Sequence, residues 1–181
     1  MTAVNGINVE QLNGMIEAVK KDPSLAKCTF TASTVWESGF RNQSRIQGYR
    51  QNGQAVGRPQ PFAVKGDHPE GLLGTNAGPA AVETLLAAAG ACIAGGWATF
   101  GAAMGVPIER LEVELEGNID LRGFMGLDEH VRPGFQYIKG KTRVKSPAST
   151  EQLTQLKYVA ETHSPVLDSM GVRVDTELVR L

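Results

Sequence analysis

The stretch from Thr84 to Ile108 contains no charged residue, and no other feature limits the folding of this chain so strongly. A run of that length can cross a bilayer. This one is mostly Ala and Gly, with Leu only at 85 and 86, so its transfer free energy is weak. A helix buried in a soluble protein is the better reading. Pro79 suits its first turn, and Gly105 and Pro107 stop it after Met104. On a wheel of 100° per residue, Leu86, Ile93, Trp97, Phe100 and Met104 share one side and should pack on a sheet. Cys92 has Leu85, Ala88, Ala89, Gly95, Gly96 and Thr99 as helical neighbours, mostly small. Gly90, Gly95, Gly96 and Gly101 each cost roughly 1 kcal/mol relative to Ala inside a helix. Close packing or open space at that face must compensate, and helix-on-helix contact across a two-fold axis is one natural use.

Around this helix the patterns alternate. Asn8, with Gln11 as its capping-box partner, opens a first helix with a stripe of Val9, Leu12, Ile16 and Val19, and Pro23 ends it. Cys28, Phe30, Ala32, Thr34 and Trp36 share one side of a strand over 27–37, which makes Cys28 a core residue. Strands over 44–50 and 59–66 flank the hairpin signal Asn52-Gly53. A loop covers Asp67 to Pro79. Over 109–121, Leu111, Val113, Leu115, Ile119 and Leu121 alternate with Glu112, Glu114, Glu116, Asn118 and Asp120, so one face is buried and one is wet. After a Gly/Pro-containing loop (122–134), Lys139, Lys141, Arg143 and Lys145 line the wet face of a strand over 135–145. Ser149 and Gln152 form a capping box for a helix to Thr162 with Leu153, Leu156, Val159 and Ala160 inside. A strand over 171–180 closes the chain. Grouped strands around helices imply an α+β fold with largely antiparallel sheet.

Several function classes fall away. The 181 residues suit one domain with a real core. The net charge of −1, with no basic cluster beyond Lys20-Lys21, offers nucleic acid no footprint. The N-terminus lacks the basic and apolar regions of a secretory signal, so a cytoplasmic setting is expected and the sequon Asn42-Gln43-Ser44 carries no weight. Two cysteines make no disulfide framework. His68, His130 and His163 have no partner at metal-ligand spacing. The glycines of 71–79 lack the Gly-Lys-Ser/Thr of a phosphate loop.

Three segments carry a resemblance: Gly74-Thr75-Asn76, the run Glu83-Thr84-Leu85-Leu86-Ala87-Ala88-Ala89-Gly90-Ala91-Cys92, and Ser164-Pro165-Val166. Together with the element order they resemble the OsmC/Ohr family of thiol-dependent hydroperoxide reductases over roughly 27–181, with residues 1–26 as an N-terminal helical extension. The resemblance implies an OsmC-like fold, with antiparallel sheets packed around a long central helix in an intertwined homodimer whose active sites lie at the subunit interface. It also implies that Cys92 is the peroxidatic cysteine, working without metal, flavin or haem. A thiolate attacks the O–O bond and becomes a sulfenic acid, which a second thiol resolves.

The sequence departs from the family twice. Ser164 stands where the family carries its resolving cysteine, so either an external thiol resolves Cys92 or the peroxidase cycle is lost. The family also holds its thiolate with an arginine paired to a glutamate at the start of the central helix. Arg41 is the best positional match, with Arg45 second, but the glutamate position is Val82. Glu83 lies nine residues before Cys92, about 180° around the wheel, and cannot reach that thiol along the same helix. The clamp is therefore absent or built differently. His163, beside Ser164, is expected either to hydrogen-bond to Cys92 or to cap a helix C-terminus. Two functions follow: an organic-hydroperoxide peroxidase using Cys92, or a degenerate dimer that binds a small apolar ligand with Cys92 inert.

Overall fold

In the computed structural model, which describes residues 3–181, the chain opens with a short hairpin, β1 (Ala3–Val4) and β2 (Ile7–Asn8), and helix α1 (Val9–Lys21). Strands β3 (Cys28–Phe30), β4 (Ser33–Ser38), β5 (Arg41–Gln51) and β6 (Gln54–Gly66) lead to the long helix α2 (Ala81–Met104). Then come β7 (Arg110–Asn118), α3 (Leu121–Phe124), β8 (Tyr137–Lys145), α4 (Thr150–Thr162), α5 (Pro165–Met170) and β9 (Val174–Arg180). Two compact units divide the chain: Asn13–Thr84, and the residues up to Leu12 together with Leu85–Leu181.

In the Asn13–Thr84 unit, β5 is central. β6 runs antiparallel along one edge, and β3 and β4 run antiparallel along the other. The strand expected over 27–37 is thus interrupted at Thr31 and Ala32. Asn52 and Gly53 both have positive φ, 49° and 74°, the conformation that a two-residue hairpin turn needs. Among the described residues of this unit only Asp67 and Ala80 are buried. Phe30 is 71% exposed and Trp36 70%. Cys28 is exposed as well, which corrects its reading as core. Strand parity defines a face here, but among the described residues Phe30, Trp36 and Cys28 on it are all exposed.

The other unit has a closed core. Here β7 pairs antiparallel with β8, placing Glu112, Glu114 and Glu116 opposite Arg143, Lys141 and Lys139. Cross-strand pairs such as Arg143–Glu114 at 2.5 Å line the wet face, where exposed ion pairs contribute little. β9 joins β8 in parallel, because α4 and α5 form the crossover that a parallel neighbour requires. Ile93 and Trp97 of α2 pack with Val106, Val144, Leu153, Leu156 and Ala160, all essentially inaccessible. Full burial of side chains of this size contributes about 1.5–3 kcal/mol each. Leu86 and Phe100 are only half-buried, and Met104 is 42% exposed, so the bulky stripe is covered only at its centre. By length and hydropathy α2 could cross a bilayer, yet this centre is the core of the unit.

Gly96 has a use within the chain. A Cβ there would lie 3.1–3.2 Å from the backbone and Cβ of Ala160, so its absence lets α4 approach α2 closely. The capping box Ser149–Gln152 is formed in both directions. Leu121 is not in a strand: Asp120 caps the short α3 through the Arg122 N–H, which ends β7 early and leaves Leu121 39% exposed. Asn5 pins the N-terminal hairpin, donating to the Val106 carbonyl at 3.0 Å and accepting from the Ile108 N–H at 2.8 Å.

Candidate active site

Cys92 sits midway along α2, half-buried. It opens into a cleft of about 310 Å³ floored by Gly95, Gly96 and Thr99 and walled by Phe100, Ala160, His163, Ser164 and Pro165. The small residues beside Cys92 on the helix wheel leave this space. Close packing at Gly96 brings α4 and its C-terminal end alongside. The chain then turns at His163-Ser164-Pro165, where Pro165 starts α5 and Ser164 is its N-cap, the arrangement favoured for a helix beginning with proline.

This turn aims Ser164 at the sulfur. The Ser164 hydroxyl donates to Cys92 Sγ at 3.0 Å and accepts from the Leu167 N–H at 3.2 Å. Ser164 is only 2% exposed, whereas the sulfur still faces the cleft. His163 is the C-cap of α4. Its Nδ1 lies 3.1 Å from the Val159 carbonyl, so that nitrogen serves the helix end, and its ring packs tilted on Phe100 at 5.6 Å. Of the two roles expected for His163, capping is the one that its contacts display. Among the described residues no lysine or arginine lines the cleft.

The remaining expected site residues belong to the Asn13–Thr84 unit. Arg41 begins β5, is exposed, and donates to Ser38 Oγ at 2.8 Å. Arg45 lies opposite Ser33 and is also exposed. Glu83 reaches back to accept the Ala80 N–H at 2.7 Å, half of a capping box for α2. Among the described residues no cluster of three or more His, Cys, Asp or Glu could hold a metal ion.

One residue escaped sequence reasoning. Asp67, 2% exposed, accepts through Oδ2 from the Thr75 N–H at 3.0 Å, the Thr75 hydroxyl at 2.6 Å and the Ala77 N–H at 3.0 Å. These bonds, the Thr75 hydroxyl first, hold its carboxyl well below the usual carboxylate range. They fold the loop that leads into α2. Gly74 is required there because a Cβ would fall 1.9 Å from the His68 carbonyl. Asn76 adopts a positive φ of 55° and donates to that same carbonyl. The Gly74-Thr75-Asn76 triplet is thus a device for locking the loop. Its signal in the sequence was a lone aspartate eight residues before a threonine.

Comparison with known proteins agrees with this architecture. The family model for OsmC-like proteins matches residues 74–178, more than half of the chain, and the chain belongs to that family. An OsmC-like protein from Mycoplasma pneumoniae superposes with a TM-score of 0.66 at 14% identity, covering 84% of this chain and 97% of that one. An organic hydroperoxide resistance protein OsmC from Legionella pneumophila gives 0.53 at 12% identity, over 84% and 96%. The organic hydroperoxide resistance protein OhrB of Bacillus subtilis gives 0.50 at 16% identity, over 84% and 98%. At such identities the likeness establishes the OsmC-like α+β fold. No curated protein matches the chain in sequence.

Proposed function

We propose that this protein is a homodimeric, cytoplasmic, thiol-dependent peroxidase that reduces organic hydroperoxides through Cys92. The observation that carries the reading is a half-buried sulfur facing an open cleft, with a hydroxyl donating to it at 3.0 Å, on the helix that the family model spans. The names of the Legionella and Bacillus structures support the substrate class. In the first step the Cys92 thiolate attacks the terminal peroxide oxygen and the O–O bond breaks. The sulfur is oxidised to a sulfenic acid, and the alkoxide takes a proton from solvent and leaves as the alcohol. Ser164 cannot close a disulfide. An external thiol therefore condenses with the sulfenic acid, releasing water, and a further thiol reduces the mixed disulfide and restores Cys92. A small, mostly apolar cleft suits an alkyl hydroperoxide better than a charged one.

The dimer reading rests on the uncovered apolar face of β3–β6, where Phe30, Trp36 and Phe62 are 57–71% exposed. Exposed apolar patches of clustered aromatic side chains mark interaction surfaces. Arg41 is the arginine we assign to Cys92 in the assembled protein. The test is consumption of cumene hydroperoxide with a dithiol reductant. Wild type should turn over, Cys92→Ser should not, and Arg41→Ala should lose at least tenfold. Absence of turnover with every thiol supplied would remove the peroxidase reading.

A second reading has its own observation. Among the described residues the cleft has no lysine or arginine, and a separate apolar groove lies between α2 and β7, lined by Leu86, Gly90, Ala94, Leu111, Val113 and Leu115. On this reading the protein is a degenerate OsmC-like dimer that binds a small apolar ligand with Cys92 inert. Ligand binding that survives Cys92→Ser, in a protein without turnover, would favour it.

A further inference from the structure

The geometry points to Ser164 as a built-in hydrogen-bond donor that favours the charged form of Cys92, so the residue that removed the disulfide took over part of the activation of the sulfur. This inference deepens the peroxidase reading and rests on it. A serine hydroxyl has one proton to give and lone pairs to accept with. The Leu167 N–H occupies one of the two lone pairs of Ser164 Oγ. With Ser164 2% exposed, water is not at hand for its proton, and Cys92 Sγ at 3.0 Å is the acceptor that it finds. Hydrogen bonds to ionised acceptors are roughly twice as strong as neutral ones. A donor fixed against sulfur therefore stabilises thiolate more than thiol, and hydrogen bonding to the charged form is one of the three means of moving an ionisation.

The hydroxyl is held in place by its second task. As N-cap of α5 it is tied to backbone, and Pro165 fixes the turn behind it. His163 is engaged at the end of α4. The donor is thus supplied by one side chain whose orientation follows from where α5 begins. A cysteine at this position would also face Cys92, but its S–H is a weaker donor than a hydroxyl.

The experiment separates the donor from the cap. Full-length wild type, Ser164→Gly and Ser164→Thr are alkylated with iodoacetamide from pH 5 to 10, and the rate at Cys92 is read by peptide mass spectrometry, with an added cysteine-containing peptide as internal reference. Glycine is a nearly adequate N-cap but has no hydroxyl, whereas threonine keeps both. At pH 7 Ser164→Gly should slow Cys92 alkylation by about five- to tenfold, the effect of losing one hydrogen bond to the thiolate. Its rate at pH 10 should match wild type, and Ser164→Thr should stay within twofold throughout. Equal rates for Ser164→Gly and wild type at pH 7 would overturn the inference. So would an equal slowing at pH 7 and pH 10, which would report lost access or structure. Failure of the peroxidase reading is distinct: the alkylation profile would hold, yet hydroperoxide would leave Cys92 unoxidised.

Discussion

The two compact units of this chain bury their apolar side chains very differently. In the unit that contains Leu85–Leu181, Trp97, Ile93, Leu153 and Leu156 are fully enclosed, and Cys92 lies half-buried at the edge of that enclosed region. In Asn13–Thr84 a strand side carrying Phe30 and Trp36 also reads as buried, yet those side chains are 71% and 70% exposed. The same binary pattern thus gives a finished core in one place and an open face in the other. Alternation encodes that a face will be covered, and it does not encode by which chain. Our account assigns the cover of the open face to a second copy.

The contrast can be broken by substitution, and the largest effect should come from the closed core. Trp97→Ala should cost about 3–5 kcal/mol in urea unfolding, and the loss should not depend on protein concentration. Trp36→Asp should be nearly silent if the face stays open. Under the dimer reading it should yield a monomer in light scattering and cost about 2 kcal/mol. In wild type the Tm should then rise with protein concentration. Gly96→Val sharpens the comparison inside the closed unit. Its side chain must displace Ala160, for an expected loss of about 1–3 kcal/mol, and it narrows the floor of the Cys92 cleft, so alkylation there should slow.

The smallest effect concerns Asp67, the one buried acid of the open unit. Its carboxyl is depressed by hydrogen bonds, so its stabilisation is present above the unfolded value near about 4 and is lost as pH falls through the lower folded value. Asp67→Asn should lower the Tm at pH 7 and flatten its fall on acidification below pH 4, as followed by circular dichroism. An acid profile identical to wild type would contradict that role.

Much of this architecture was legible in the residues. Gly105 and the charge-free run marked α2. Glu112, Glu114 and Glu116 marked β7, Ser149 and Gln152 marked α4, and Asn52-Gly53 marked the hairpin, each through a local rule. What was not legible depended on partners distant in sequence. Nothing in the 174–180 alternation distinguishes parallel from antiparallel pairing, and the crossover through α4 and α5 decides it. Six residues are too few for α5 to show a period, although Ser164-Pro165 is an N-cap signal in retrospect. Strand parity sets Cys28 on the side of Phe30 but does not decide burial, and Cys28 is exposed. The Ser164–Cys92 contact joins residues 72 apart. Only the resemblance suggested their meeting, and the direction of the hydrogen bond between them came from the fold.

The central claim is that Cys92 is oxidised by hydroperoxide and then waits for a thiol from outside. The direct measurement is mass spectrometry of the intact protein treated with cumene hydroperoxide and trapped with dimedone. The account predicts a dimedone adduct on Cys92 and no intramolecular disulfide in wild type. In Ser164→Cys, a disulfide between Cys92 and the introduced thiol should replace the adduct. A Cys92 that remains a free thiol under excess hydroperoxide would contradict it.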